Sequence, residues 1–241
     1  GARVGFGTLL RFHFVGLFFQ LVLPASSGTD LVKGAYLSRT TGKEQAFASV
    51  IMGRIVGLAV LVVFALALYL LQPGVFSGSA DIGQHFIGAL LGVGVLLLLF
   101  VLKADVWLLR TLPQGMRGNA VYRFLDGLQQ ALVKYRTRYL YLLPCTIASL
   151  GIVICMVLVH LFLFYAMGVT DVSLRYLCFA VPIVLIATMV PVSINGLGVR
   201  EALYFYFFSG SIAMHEQVLA FSVLKIAMLV IPSLLGGGVY L

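Results

Sequence analysis

IVGLAVLVVFALALYLL, running from Ile55 to Leu71, contains no charged residue. A helix needs about 17–25 consecutive apolar residues to cross a hydrocarbon core of about 30 Å, and this run is long enough. Its apolar residues are continuous rather than alternating, which is the pattern of a spanning helix and not of a barrel strand. Residues 86–102 form a second run free of charge. Across all 241 residues the chain is 61% hydrophobic and 10% charged, with a mean hydropathy of +1.09. Soluble domains hold about 45–50% apolar and about 25% charged residues, so these residues cannot assemble a water-facing surface. The expected fold class is all-α: a polytopic transmembrane helical bundle forming a single integral-membrane domain over residues 1–241.

Further spans are expected over residues 46–71, 85–102, 139–167 and 217–241, with apolar pieces at 6–23, 174–190 and 197–208 and a short helix at 31–37. Lys and Arg total 16 against 8 acids, a net charge of +8. Basic residues in membrane proteins gather in short cytoplasmic loops, facing anionic lipid. The connection 103–138 holds seven basic residues and two acids, and is therefore placed on the cytoplasmic side. Segments 72–84, 168–173 and 209–216 carry no Lys or Arg and are placed outside. Nucleic acid is not an expected partner, because no basic-aromatic binding module is present. Within 103–138, Val121, Phe124, Leu125, Leu128 and Leu132 recur at helical spacing. They mark an amphipathic helix, either lying on the inner leaflet or packed on the bundle. Cys145, Cys155 and Cys178 fall in apolar stretches without ligand spacing and read as packing residues. No metal and no cofactor are expected. The chain starts without Met and ends in an apolar run, the pattern of a piece of something longer.

Two interruptions decide the functional reading. Pro24-Ala25-Ser26-Ser27-Gly28-Thr29-Asp30 follows one apolar run, and Pro191-Val192-Ser193-Ile194-Asn195-Gly196-Leu197-Gly198-Val199-Arg200-Glu201 follows another. Each has Pro, then Ser two residues on, then Gly, then a short helix charged near its start. Pro breaks a helix, and Ser, Thr and Asn cap the next one. Residues 197–208 would rise only about 18 Å, too little to cross the core. Non-helical backbone at membrane depth must be satisfied by protein or by a wet cavity. Two re-entrant helical hairpins are therefore expected. The charge rule makes them enter from opposite sides, as in an inverted repeat with a binding site near the midplane. Ordinary loops between spans are the alternative.

Charges at depth supply the candidate site. A central charge costs about 2.5–3.5 kcal/mol or more and usually faces a cavity or a partner. Arg54, Arg200 and Lys225 with the two helix N-termini suit an anion, and phosphate is the anion of lipid headgroups. Each residue also has a plainer reading. Arg54 can snorkel to the interface, Arg200 and Glu201 can pair with each other, and Asp30 can pair with Lys33. His160 reads as a buried, hydrogen-bonded histidine, and Arg11 and His13 either face a cavity or mark a shallow first segment. The candidate headgroup-binding set is Ser26, Gly28, Asp30, Arg54, Ser193, Asn195, Gly196, Arg200, Glu201 and Lys225, with no catalytic residue.

The string Leu23-Pro24-Ala25-Ser26-Ser27-Gly28-Thr29-Asp30, with Tyr36-Leu37-Ser38-Arg39 and Arg54 after it, resembles the transmembrane domain of lysylphosphatidylglycerol synthase/flippase proteins. Residues 190–201 resemble that family's second signature more closely still. The resemblance covers nearly the whole chain and implies a multi-pass protein of a bacterial or archaeal cytoplasmic membrane that binds or translocates lipid. In the best-understood members this domain flips aminoacylated phosphatidylglycerol, made by a separate soluble domain. The 241 residues leave no room for that soluble domain, so no enzyme activity is expected of them, and the family's first helices are expected to be missing. Expected partners are membrane lipids, an anionic phospholipid or a polyprenyl-phosphate lipid. Arg54 and Arg200 would then neutralise the phosphate, while Glu201 and Asp30 orient them or receive a cationic headgroup. Two other functions stay open: a non-transporting lipid-binding subunit, and an intramembrane transferase acting on polyprenyl-phosphate or hopanoid-type lipids, with Glu201 as its base. The sequence sets neither the lipid nor the oligomeric state.

Overall fold

The computed structural model describes residues 5–22, 28–71, 88, 92–95, 120–137, 142–189 and 196–240. Among them are eight named helices and no strand: α1 (Phe6–Val22), α2 (Gly28–Thr41), α3 (Lys43–Leu71), α4 (Ala120–Thr137), α5 (Leu143–Ala166), α6 (Leu174–Met189), α7 (Val199–Phe208) and α8 (His215–Tyr240). The span expected at 85–102, where 88 and 92–95 are helical, lies otherwise outside the described residues. So do the first half of the basic connection and residues 23–27 and 190–195 of the two breaks. Helices α3, α5 and α8 are long and apolar enough to cross a membrane. The chain divides into two compact units, residues 1–36 with 152–241 and residues 37–151.

In the first unit, α1 and α2 run antiparallel as a helical hairpin. A Cβ on Gly16 would meet the Thr29 side chain at 2.8 Å, and one on Gly28 would meet the Gln20 Cα at 3.0 Å. Farther along, the rings of Phe12 and Tyr36 lie 4.8 Å apart. The Thr29 hydroxyl is buried and shares its one proton between the Gly16 carbonyl (3.2 Å) and Gln20 Oε1 (2.7 Å). Thr29→Val keeps the shape and removes the donor, so we expect a loss of about 1 kcal/mol, read by thermal unfolding in detergent. Helix α2 is longer than the 31–37 expected. Arg39 in its last turn suits the helix dipole, and Gly42, with φ of 89°, ends it.

Helices α6 and α7 form a second hairpin. At its base the Tyr176 hydroxyl donates to the Phe207 carbonyl at 2.7 Å. At its tip Gly196 has φ of 73°, and a Cβ there would stand 3.1 Å from Thr188 Cβ, so geometry and space both demand glycine. The arms of 16 and 10 residues rise about 24 and 15 Å, each shorter than a bilayer core.

Helix α5 explains how the unit packs. Val153, Val157, His160, Leu161 and Phe164 are buried on one face, while Ile154, Leu158, Phe162 and Tyr165 stand exposed on the other. Helix α8 likewise exposes Leu219, Val223, Met228, Ile231, Leu234 and Leu235. Such outward apolar faces suit lipid and not water. Inside lipid, helices associate through close packing of small residues rather than through the hydrophobic effect. Ser233, Gly236 and Gly237 are buried along α8, and the two glycines lie directly against Phe14 and Phe18 of α1.

In the second unit α4 packs on the first turns of α3. Ala131 and Leu132 are buried against Ala48 and Met52, with Leu128 and Tyr135 beside them. The rings of Phe47 and Phe124 meet edge to face at 6.0 Å. Of the two roles open to this amphipathic helix, packing on a neighbouring helix is the one observed for Leu128 and Leu132.

Candidate functional site

Five helices of the first unit enclose a cavity of about 220 Å³. Each lends one face. Gln20 comes from α1, Met156 and His160 from α5, and Val181, Val184, Leu185 and Thr188 from α6. Arg200 and Tyr204 come from α7, and Lys225 and Leu229 from α8. In each helix that supplies more than one residue, those residues fall on one helical face, as with Met156 and His160, Arg200 and Tyr204, or Lys225 and Leu229. Gln20 sits at the narrow end of the α1–α2 hairpin, against Gly28, and Thr188 sits at the tip of the α6–α7 hairpin, against Gly196. Residues beside both sequence breaks therefore line one chamber.

Arg200 is held by its neighbour. Its Nε and Nη2 donate to Glu201 Oε1 at 3.2 and 3.1 Å, while the Gly198 N–H donates to Glu201 Oε2 at 2.6 Å. The side chains of Arg200 and Glu201 are 14% and 20% exposed. Glu201 thus has both oxygens occupied, one fixing the guanidinium and one closing the first turn of α7. Arg200 Nη1 makes no hydrogen bond among the described residues. Lys225, near the middle of α8, has no hydrogen bond or ion pair among the described residues, although Arg200 and His160 lie within its electrostatic range. Two cations of like sign share a confined wall, with one carboxylate committed to one of them.

His160 is 2% exposed. Its Nδ1 lies 2.7 Å from the Met156 carbonyl and its Nε2 lies 3.2 Å from the Tyr204 hydroxyl. A carbonyl can only accept, so Nδ1 carries a proton; in the singly protonated ring Nε2 then accepts from Tyr204. This is the buried, hydrogen-bonded histidine expected from the sequence, and it also faces the chamber. Behind it the rings of Phe164 and Phe221 stack at 4.5 Å, with Phe208 edge-on to both and Tyr204 edge-on to Phe221. That buried aromatic block holds α5, α7 and α8 together on the side away from the tips.

Of the residues expected from the sequence, Arg200 and Lys225 line the chamber, Gly196 forms one hairpin tip, and Glu201 positions Arg200. Gly28 begins α2 at the other hairpin's narrow end. Asp30 and Lys33 have interaction partners of their own and lie within electrostatic range of His13. Arg54 stands half-buried on α3 in the second unit. Ser26, Ser193 and Asn195 lie outside the described residues. Arg11 faces a separate, more open cleft of about 390 Å³ with Thr8, Tyr36 and Tyr240.

Gln20, Thr188 and Tyr204 were not on the expected list. Tyr204 was legible as the residue four positions after Arg200, on the same helix face. Gln20 was visible as a polar interruption of an apolar run. Thr188 gave no separate signal, because its hydroxyl also bonds the Leu185 carbonyl of its own helix and such residues are common in spans.

No curated protein and no solved structure matches the chain. Residues 1–236 match the family described as "Lysylphosphatidylglycerol synthase TM region", and the chain belongs to that family of multi-helix membrane proteins.

Proposed function

We propose that this chain is a lipid flippase: it takes an anionic, phosphate-bearing headgroup into the chamber and passes it between leaflets while the acyl chains remain in the bilayer. The carrying observation is that Arg200 and Lys225 line one chamber together with Gln20 and Thr188, the residues beside the two breaks. An uncompensated cation at membrane depth is costly, and an arriving phosphate offsets that cost through charge-assisted hydrogen bonds. The α7 N-terminus adds partial positive charge beside Arg200. Tyr204, Thr188 and Gln20 add neutral polar groups. The volume is below the roughly 300–1,000 Å³ of drug-sized pockets, which suits a headgroup and not a whole lipid.

The short arms support reading both hairpins as re-entrant and related as an inverted repeat, with the chamber near the midplane. The exposed apolar faces and basic connection support a multi-pass protein of a bacterial or archaeal cytoplasmic membrane. Anionic phospholipids and polyprenyl-phosphate lipids share the chemistry required. Transport is favoured over group transfer because Glu201, the base a transferase would need, has both oxygens engaged.

The test is purified protein in liposomes carrying labelled phosphatidylglycerol. Each of Arg200→Ala and Lys225→Ala is expected to slow flipping about tenfold or more, the loss of one charge-assisted contact. The double variant should fall to the protein-free rate. Parent protein that flips no faster than empty liposomes sinks the reading. Binding without flux would make the chain a lipid-binding subunit.

A further inference from the structure

We infer that the cleft between α1, α2 and α8, apart from the chamber, is a binding site for one resident phospholipid, held there by its phosphate. The cleft encloses about 390 Å³, within the roughly 300–1,000 Å³ of small-molecule pockets. No described residue lines both it and the chamber. It exists because the close contact of α1 with α8 stops short of the helix ends. Gly236 and Gly237 bring α8 against Phe14 and Phe18. Just beyond them, Val239 and Tyr240 face the first turns of α1 across a wedge. Helix α2 closes the third side, where the Tyr36 ring lies 4.8 Å from that of Phe12.

Among the described lining residues Arg11 is the one charge. It makes no hydrogen bond or ion pair among the described residues, and the hydroxyls of Thr8 and Tyr240 make no hydrogen bond there either. The Tyr240 ring is anchored, stacked on Phe18 and edge-on to Phe19 at 5.2 Å, which leaves its hydroxyl to a ligand. A guanidinium with hydroxyls beside it offers the donors that phosphate oxygens accept from. Val15 and Val239 are apolar, so the ligand carries hydrocarbon next to its phosphate. A phospholipid has both parts, and basic pockets between membrane helices are headgroup sites. Arg11 alone would reach any interfacial phosphate. Three helices around it make a site, because they restrict where the phosphate and its chains lie. A lipid seated there touches all three and ties the α1–α2 hairpin to α8.

The experiment measures thermal unfolding of the full chain in neutral detergent, with the chamber silenced by Arg200→Ala and Lys225→Ala so that it does not contribute. Phosphatidylglycerol well above its dissociation constant should raise the midpoint by about 5 °C or more. Diacylglycerol, which lacks the phosphate, and glycerol phosphate, which lacks the chains, should each shift it by less than about 1 °C at the same concentration. Arg11→Gln in this background should raise the phosphatidylglycerol concentration needed by about tenfold, and Tyr240→Phe by about threefold, the losses of a charge-assisted and a neutral hydrogen bond. An unchanged response in Arg11→Gln overturns the site. Diacylglycerol as effective as phosphatidylglycerol overturns phosphate recognition, and glycerol phosphate as effective overturns the lipid assignment. Native mass spectrometry gives a second reading without the chamber variants: Arg11→Gln should retain one phosphatidylglycerol fewer than the parent, and an equal count overturns the proposal. Neither readout involves flux, so a chain that flips no lipid sinks the transport reading and leaves this site standing.

Discussion

Gly236→Val is expected to destroy the contact between α1 and α8. A Cβ at this position would fall on the Phe14 carbonyl oxygen and 2.8 Å from its carbon. The obstacle is backbone inside a helix, so no rotamer change clears it and the two helices must separate. The stripe then loses its neighbours too: Gly237 lies against the Phe18 ring, and the Tyr240 ring meets Phe19 edge-on at 5.2 Å. Overpacking of a tight core costs about 1–3 kcal/mol and sometimes more. We place this case at about 3 kcal/mol or above, because the clash is with main chain and the contact is between helices. Thermal unfolding in mild detergent should show a large drop for Gly236→Val. Gly238→Ala is the control: it meets nothing within 4 Å, so its effect should stay within about 0.5 kcal/mol. Equal stability of the two variants would show that α1 does not sit on this stripe.

Phe164→Ala should be the second large loss. Phe164 is fully buried, stacked on Phe221 at 4.5 Å and edge-on to Phe208 at 5.2 Å. In water-soluble proteins such a truncation costs about 3–5 kcal/mol, part transfer and part cavity. The transfer part shrinks where the alternative solvent is lipid. The cavity part and the aromatic geometry remain, since a void has no atoms on one side to attract its lining. About 2–3 kcal/mol is expected. The block holds α5, α7 and α8, so flipping should fall along with stability. Phe164→Leu, which refills most of the space, should recover most of both. Full activity in Phe164→Ala would mean that Arg200 and Lys225 are placed without help from this block.

Membrane character, the helical class and the positions of the breaks were all legible in the chain, because each depends on local composition. A charge-free run such as 55–71 has one stable state in a bilayer, and Pro with nearby Gly disrupts a helix wherever it occurs. Arg200 and Lys225 were likewise visible, as charges that an apolar run tolerates only for a reason. Periodicity also marked α4 as amphipathic, but it could not say whether lipid or a helix would cover Leu128 and Leu132. Only the packing against Ala48 and Met52 answered that.

Residue order alone sets the list of polar groups that must hide inside the membrane. Which of them meet was decided by tertiary structure. Glu201 read equally well as a base, as a receptor for a cation, or as the partner of Arg200; only the folded chain shows that Arg200 and the Gly198 N–H both donate to it. Gln20 and Lys225 are far apart in sequence and share a wall only because Gly236 lets α1 press against α8. Composition acts residue by residue, whereas a cavity is the space left over when several helices close, and no single segment encodes that remainder.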